Sequence, residues 1–569
     1  MLSTSFRRHV TVILGCVLTT LSSHAIAQSD DGVTRGRRTS IKKTDKTQPV
    51  ELAGQLVYPE GWPIGAEMTP IEASWSKDNF TERSLLVNPP TGPIRCVAEY
   101  EPMDGILVAW EGSNSWKSIL AEMASHITTT GDANIYVMVD NNSEGNSAQN
   151  SIVAAGANED RVIIIVRTTD TIWIRDYGPR FIMEGQCRAI VDHNYNRPRP
   201  SDNALNSYLS TYWDFPNYEI PLTHGGGNYH LNAVGESFAT ELIVNENPGL
   251  SESQIVDYWQ DYQNLNTTLT PAFPTSVDFT QHIDMWMQIA ADNLALVSDW
   301  PNNVGSNQDN ICDNTTADLT TAGWTVLRPP ARSVGGVHYT YTNVVLCNDL
   351  LLIPSYDSLP SENAQALAVW QSALPDKTIV QVDCDAIVTA SGVMHCIVMH
   401  IPSAAGGEQP TAYLRSPRGG EFLEPGGTVD INWIADDNGE VTIDLVLSTN
   451  GGQDFDQTIA SGLSDSGSYS WTVPDVYSEQ ARIRIVARDD DNNTGSDQSD
   501  SDITINGTPE LIGDINLDGI VDLMDFSIFL VDFGLVCAPN ASCGSDLDNS
   551  GIVDITDFGI FLVNYGNSL

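Results

Sequence analysis

The sequence predicts a large α/β domain, then a small antiparallel β-sandwich, then a pair of helical repeats. Three observations carry this order. From about Glu51 to Pro410, short apolar runs such as GILVAWE, RVIIIVR and TNVVLCNDLLLIPS alternate with helical stretches such as SWKSILAEMASHI. After PSAAGGEQP the texture changes to alternating strands broken by Gly and Asp, as in TVDINWIAD and ARIRIVARD. The final segment repeats itself, GDINLDGIVDLMDFSIFLVDFG being answered by SDLDNSGIVDITDFGIFLVNYG.

The start of the chain reads as a leader. Arg7 and Arg8 precede an apolar run from Val10 to Leu21, and the small residues Ala25 and Ala27 precede Gln28. Residues 1–27 are therefore expected to be a secretory signal peptide, and the mature protein to be extracellular or associated with the cell surface. Residues 28–55 are polar and locally basic, and read as a flexible lead or propeptide. The α/β domain is placed at 56–405, the sandwich at 411–506 and the repeats at 511–569. No segment has the apolar length of a membrane helix, so an integral membrane protein is not expected. The formal net charge of −47 disfavours nucleic acid as a partner, because phosphates would be repelled. Such acidity serves solubility and would also attract cationic substrates.

Nine cysteines are present, of which Cys16 leaves with the leader. Cys537 and Cys543 share a short loop and are expected to pair. Cys96, Cys187, Cys312, Cys347, Cys384 and Cys396 could pair in several ways. Cys396, in SGVMHCIVMH, is a bridge half, a packed thiol or a nucleophile, and its run reads as a buried strand.

In the first repeat Asp514, Asn516, Asp518, Asp522 and Asp525 take positions one, three, five, nine and twelve of an EF-hand-type loop, with Gly519 at six and the Ile520 carbonyl available. The second places Asp546, Asp548, Ser550, Ile552, Asp554 and Asp557 alike, with Gly551 at its turn. Calcium takes oxygen ligands, and the glycine permits the turn that lets carboxylates converge. With Asp as the closing residue and only a following helix, the pair resembles a type I dockerin module. That resemblance implies a small helical calcium-binding fold and a cohesin-type partner.

Five motifs in the α/β domain carry chemistry. TIWIRDYGPRF holds Trp173 and Asp176 after a strand, where a carboxylate beside an aromatic can hold a flat cation. THGGGNYHLN, with Gly226, Gly227 and Asn228, lets backbone approach a ligand or bend tightly. In QHIDMW, His282 and Asp284 are two apart and would share one side of an extended strand. YTNVVLCN supplies Asn343, and SGVMHC supplies Cys396. Each motif alone reads as structure. Together they fit attack on a guanidinium carbon, which needs carboxylates on its N–H groups, a thiolate nucleophile and a histidine to protonate departing ammonia.

The ordered set WIRDYGP, GGN, HID, YTN and HC resembles the guanidine-modifying (pentein) superfamily, in particular the Porphyromonas-type peptidylarginine deiminases and the related agmatine deiminases. The resemblance implies a five-bladed pseudo-symmetric α/β propeller with the site at its axis, followed here by the Ig-like or fibronectin-like sandwich. It implies Cys396, His282, Asp176, Asp284 and Asn343 as catalytic residues, with Trp173, Gly226, Gly227 and Asn228 lining the substrate. NRPRP, with Arg197 and Arg199, looks like the segment by which the peptidylarginine members contact a peptide and its terminal carboxylate; the alternative is a rigid turn with solvated arginines. There are two departures from the family: Val393 and Met394 stand before His-Cys, and His224 precedes the glycines where relatives commonly carry an acidic residue. The expected activity is deimination of an arginine-containing peptide or protein with no cofactor for catalysis. Agmatine deimination is the nearest alternative, and a noncatalytic scaffold using the sandwich and calcium modules is the alternative of another class.

Overall fold

The computed structural model describes residues 45–79, 88–508, 511–537 and 543–568. The leader at 1–27 and most of the lead at 28–55 lie outside these residues. The end of the lead is not a loose tail: Val50–Leu52 and Gln55–Val57 form a hairpin through left-handed Ala53 and Gly54, so the boundary set at residue 55 cuts a paired element.

Beside a hairpin of Arg332–Val334 and Val337–Tyr339, the α/β domain has five sheets built on one plan. In four of them an antiparallel pair of strands is followed by a helical crossover and a strand parallel to the second. Arg180–Glu184, Cys187–Tyr195 and Asn217–His224 form one, to which Ile94–Cys96 adds an edge. His230–Leu231, Glu236–Thr240 and Asn266–Thr270 form the next. Met287–Ala291, Leu294–Val297 and Thr325–Leu327 follow, then Val345–Cys347, Leu350–Ser355 and Thr378–Asp383. The remaining sheet joins the two ends of the domain. Met399–Pro402 pairs antiparallel with Met103–Ala109, which runs parallel to Asn134–Val139 and then Val162–Val166.

The strands of this last sheet are near-continuous apolar runs because helices Asn114–Thr129 and Asn142–Ala154 cover it. Ser113 and Asn141 start those helices by accepting backbone N–H groups. Ile106, Ile135, Val137, Trp173 and Ile397 are buried in one cluster, so the core packs directly against the turn that carries Cys396.

The sandwich spans Thr411–Ser416 to Ile503–Asn506 in two sheets. It is joined to the α/β domain by buried contacts. Arg188 of the α/β domain donates to both carboxylate oxygens of Asp436, and both residues are buried. Cys187 packs with Tyr413 and Ile434, and Arg415 pairs with Glu184. Trp433 and Trp471 are buried in the sandwich core. In the last segment, helices Leu523–Asp532 and Ile555–Asn564 stack Phe526, Phe529, Phe558 and Phe561. Cys537 and Cys543 are bonded, whereas the other six cysteines among the described residues are buried thiols.

Candidate active site

The five sheets share a second feature. Just ahead of the first strand of each lies a short turn or loop, and those segments carry the predicted residues. Asp176 lies in the one-turn helix Ile174–Tyr177 before Arg180–Glu184, and Gly226 to Asn228 precede His230. His282 and Asp284 precede Met287, Asn343 precedes Val345, and Cys396 precedes Met399. Two local expectations are corrected here. His282 and Asp284 flank and enter a tight 3-10 turn at Ile283–Met285 rather than an extended strand, and Cys396 lies in a 3-10 turn at His395–Ile397 rather than in a strand. The turns face inward because the following strands are anchored in the core.

Cys396 Sγ accepts from Asn343 Nδ2 at 3.2 Å and lies 3.6 Å from Asp284 Oδ2. The same Asn343 nitrogen donates to Asp284 Oδ2 at 3.1 Å, and Asn343 Oδ1 accepts the His395 N–H at 3.0 Å. Asn343 thus fixes the Cys396 thiol and the Asp284 carboxylate together. His282 Nδ1 is 3.4 Å from Asp176 Oδ1, which also accepts the Gly227 N–H at 3.2 Å. Gly227 lies between the two halves: a Cβ there would fall 2.8 Å from His282 Nδ1, 2.9 Å from Asp176 Oδ1 and 3.0 Å from Asp284 Oδ2. Any side chain would fill the space where two carboxylates and a histidine converge. Gly226 is barred from a side chain by the Arg175 carbonyl, which would lie 2.3 Å from its Cβ.

His282 Nε2 and Asp284 Oδ1 are buried with no partner in the protein. A buried acceptor and a buried ring nitrogen left open at one spot are groups that a polar ligand would satisfy. Burial pulls the His282 pKa down, but Asp176, Asp284 and Glu246 outweigh it and raise it to about 9. The resting ring is therefore protonated near neutrality. Burial, Asp284 and Asp176 together push the Cys396 thiol well above its usual range, so it is neutral at rest. Burial opposes ionisation of Asp176, yet His282, Arg197 and the Gly227 N–H hold its carboxyl below the usual value.

Trp173 is fully buried, and a Cβ at Gly392 would lie 2.6 Å from its ring and 3.0 Å from Cys396 Sγ. The indole is therefore a wall beside the Cys396 thiol, held by its N–H on the Ile64 carbonyl at 2.8 Å. Arg197 is half-buried near Asp176, with Nε donating to the Ala66 carbonyl at 3.2 Å. Two expected substrate contacts are spent on the scaffold. Arg199 is fully buried on Glu72 at 2.8 Å and on the Gly65 and Glu67 carbonyls, so it ties the first segment of the domain in place. Asn228 accepts from Thr240 N and Ile283 N and donates to the Thr240 carbonyl, stapling the His282 turn to the neighbouring sheet.

Sequence reasoning missed Glu99, Arg175, His395 and Glu246 as members of the site. Glu99 and His395 form a buried pair that reaches Asp284, and Glu246 influences His282. Nothing in AEYEP marks Glu99, but His395 adjoins Cys396 and a buried histidine there needs a partner. A cavity of about 950 Å³ between helices Asn114–Thr129 and Asn142–Ala154 contains none of the predicted residues.

A protonated histidine and two carboxylates around Gly227, with a thiol beside one of those carboxylates, define a guanidine-modifying hydrolase of the deiminase type, acting on a carbon–nitrogen bond. The family model for Porphyromonas-type peptidyl-arginine deiminase matches residues 95–402, more than half of the chain. The chain belongs to that family. A second model, for a Kre9/KNH-like N-terminal Ig-like domain, matches residues 416–501 in the sandwich. A protein of Shewanella sp. (strain MR-4) assigned as an agmatine deiminase is 25% identical over 288 residues, covering 42% of this chain and 76% of that protein. The structure of the Enterococcus faecalis agmatine deiminase superposes with a TM-score of 0.50 at 18% identity, covering 57% of this chain and 99% of that one. A further structure assigned as an agmatine deiminase gives a TM-score of 0.51 at 20% identity, over 57% of this chain and 100% of that one. These likenesses establish the fold of the α/β domain.

Proposed function

We propose that the protein is an exported deiminase of arginine in peptides or proteins, converting the guanidinium to the ureido group of citrulline with release of ammonia. The observation that carries this reading is the convergence of Asp176, Asp284, His282 and Cys396 around Gly227 and Asn343. Asp176 and the open Asp284 Oδ1 grip the guanidinium N–H groups. The bound cation offsets the two carboxylates that hold the Cys396 proton in place, so the thiol ionises as the substrate docks. The thiolate attacks the guanidinium carbon, and protonated His282 gives its proton to the departing nitrogen, which leaves as ammonia. The thiouronium adduct that remains is hydrolysed by a water deprotonated by the now neutral His282, and the carbon–sulfur bond breaks to return the thiolate. No cofactor enters this cycle.

Arg197 favours a peptide substrate, because its half-buried charge stands near Asp176 and can meet a terminal carboxylate that agmatine lacks. Agmatine deimination is the second reading, favoured by the Shewanella relative. The test is citrulline or ureido product from a peptide ending in arginine, from the same peptide amidated, and from agmatine, with Cys396→Ala as control. Turnover of the free-carboxylate peptide above the other two supports the proposal. Turnover of agmatine alone replaces it, and no turnover of any brings the scaffold reading forward.

The remaining proposals concern architecture. The five sheets, joined end to end by Met399–Pro402 on Met103–Leu107, are read as the blades of a five-bladed propeller. Export rests on the leader-like residues 1–27. The C-terminal repeats are read as a dockerin-like calcium module: carboxylate oxygens of Asp514, Asp518 and Asp525 lie within 4.8 Å of one another, as do those of Asp546, Asp548 and Asp557. Asp522 and Asp554 cap the helices instead, whereas Asn516, Ser550 and the Ile520 and Ile552 carbonyls stay in the loops as further oxygen donors. Val531 and Val563, at matching places in the two copies, are 83% and 82% exposed, which supports a protein partner of the cohesin type. No helix among the described residues is long and apolar enough to cross a membrane.

A further inference from the structure

His395 stands between two carboxylates. Its Nδ1 is 2.8 Å from Asp284 Oδ2, and its Nε2 is 3.0 and 3.1 Å from the two oxygens of Glu99. A neutral imidazole has one N–H, so one of these contacts would set a lone pair against a carboxylate; with hydrogen on both nitrogens, both become charge-assisted bonds. Glu99 is itself held from behind. Arg175 Nη1 donates to it at 2.7 Å and Gln288 Nε2 at 3.2 Å. Arg175 also reaches the His395 carbonyl through Nε at 3.3 Å and donates through Nη2 to His400 Nδ1 at 2.7 Å. His400 Nε2 then donates to the Leu346 carbonyl, so His400 is neutral and the guanidinium charge is left to Glu99. His230 packs its ring on His395 with centroids 5.1 Å apart and adds no charge, since burial holds it neutral. Charge thus alternates through one buried row: Arg175 positive, Glu99 negative, His395 positive, Asp284 negative.

We propose that Glu99, backed by Arg175, is a positioning residue for the deimination: it keeps His395 an imidazolium that orients Asp284 and sets a positive charge beside Cys396. Two consequences follow for the chemistry. Asp284 Oδ2 is occupied by His395 and Asn343, which leaves Oδ1, the oxygen with no protein partner, to meet the substrate. Cys396 otherwise faces Asp284, Asp176, Asn343 and Met285, so His395 is the cation next to it in the chain and opposes the carboxylates that suppress its thiolate. His282, the other cation of the site, is engaged with Asp176.

The effect on turnover rests on the deiminase reading, whereas the effect on the thiol does not. The test is the rate of Cys396 alkylation by iodoacetamide against pH, mapped to that peptide by mass spectrometry in the absence of substrate. Glu99→Gln removes the charge that holds His395 protonated. Its alkylation midpoint is expected to rise by about one pH unit or more, with kcat for the preferred substrate down at least about tenfold and KM little changed. Glu99→Asp should restore part of both. A Glu99→Gln protein that melts near the wild type and keeps its alkylation midpoint and pH–rate profile would overturn the proposal. Should that variant not fold, the unsubstituted protein decides: ring 15N shifts of His395 at neutral pH showing two protonated nitrogens support the proposal, and one protonated nitrogen overturns it. A wild type that makes no product from any guanidine would sink the deiminase reading while leaving the alkylation midpoint to judge Glu99.

Discussion

In the α/β domain, Glu99, Asp176 and Asp284 are buried, and each faces a side chain that can carry positive charge: Arg175 and His395, His282, and His395 respectively. In the C-terminal repeats, carboxylates crowd just as closely, yet after Arg488 the chain contains no Lys, Arg or His at all. There the donors are backbone N–H groups: Asp525 accepts from Ile515, Asn516 and Asp522, and Asp557 from Asp548 and Asp554. The first region carries its countercharge in the fold and needs only a cationic substrate to complete it. The second has polar support without countercharge, which is the condition a divalent cation relieves.

The sharpest way to break this comparison is at the nucleophile. Cys396→Ala should lower deimination by about 10⁴-fold or more while the fold and the carboxylate pairings stay in place, checked by product formation and thermal melting. Next in size is the buried bridge between domain and sandwich. Asp436→Ala leaves the Arg188 guanidinium buried and unpaired, and should cost about 3–5 kcal/mol, read as a lower denaturant midpoint at unchanged catalytic chemistry. Chelation with EGTA should then act on the other region alone: amide exchange within 511–568 rises, while that within 95–402 and the deimination rate hold. Loss of activity on chelation would erase the distinction between the two regions.

The smallest effect expected is in the pH dependence of stability. The folded pKa of His282, about 9, lies above the ordinary 6.5 of an unfolded histidine. Its contribution is therefore fully present below about pH 6.5 and is lost as pH rises through about 9. His282→Asn should lose fewer degrees of melting temperature than the wild type between pH 6.5 and 9.5. Equal losses would mean that the Asp176–His282 pair does not hold the proton in the native state.

How much was legible beforehand can be judged residue by residue. Asp176, Asp284, His282, Asn343 and Cys396 were readable because each sits in a compact motif, and the motifs occur in one order along the chain. The apolar runs revealed the strands, since a run buried on both faces leaves no polar alternation to misread. Arg199 and Asn228 misled because a residue type suited to a substrate is equally suited to a scaffold: Arg199 meets Glu72, 127 residues away, and Asn228 meets Ile283, 55 away. Glu99 was invisible for the same reason, its partners being His395 and Arg175 at separations of 296 and 76 residues. The tight turns at His282 and Cys396 escaped because three or four residues show no periodicity.

The α/β, sandwich and repeat order, the strand and helix texture, and the residue types able to attack a guanidinium are all visible in the chain before it folds. Those are properties of local pattern and of side-chain chemistry, which a linear chain displays. Folding settles which carboxylate meets which cation, that Gly227 leaves the space in which they converge, and that the sandwich is bolted to the domain through Arg188 and Asp436. Burial creates those distinctions. A charge removed from water must find a partner wherever the chain brings one, and sequence separation places no limit on where that is.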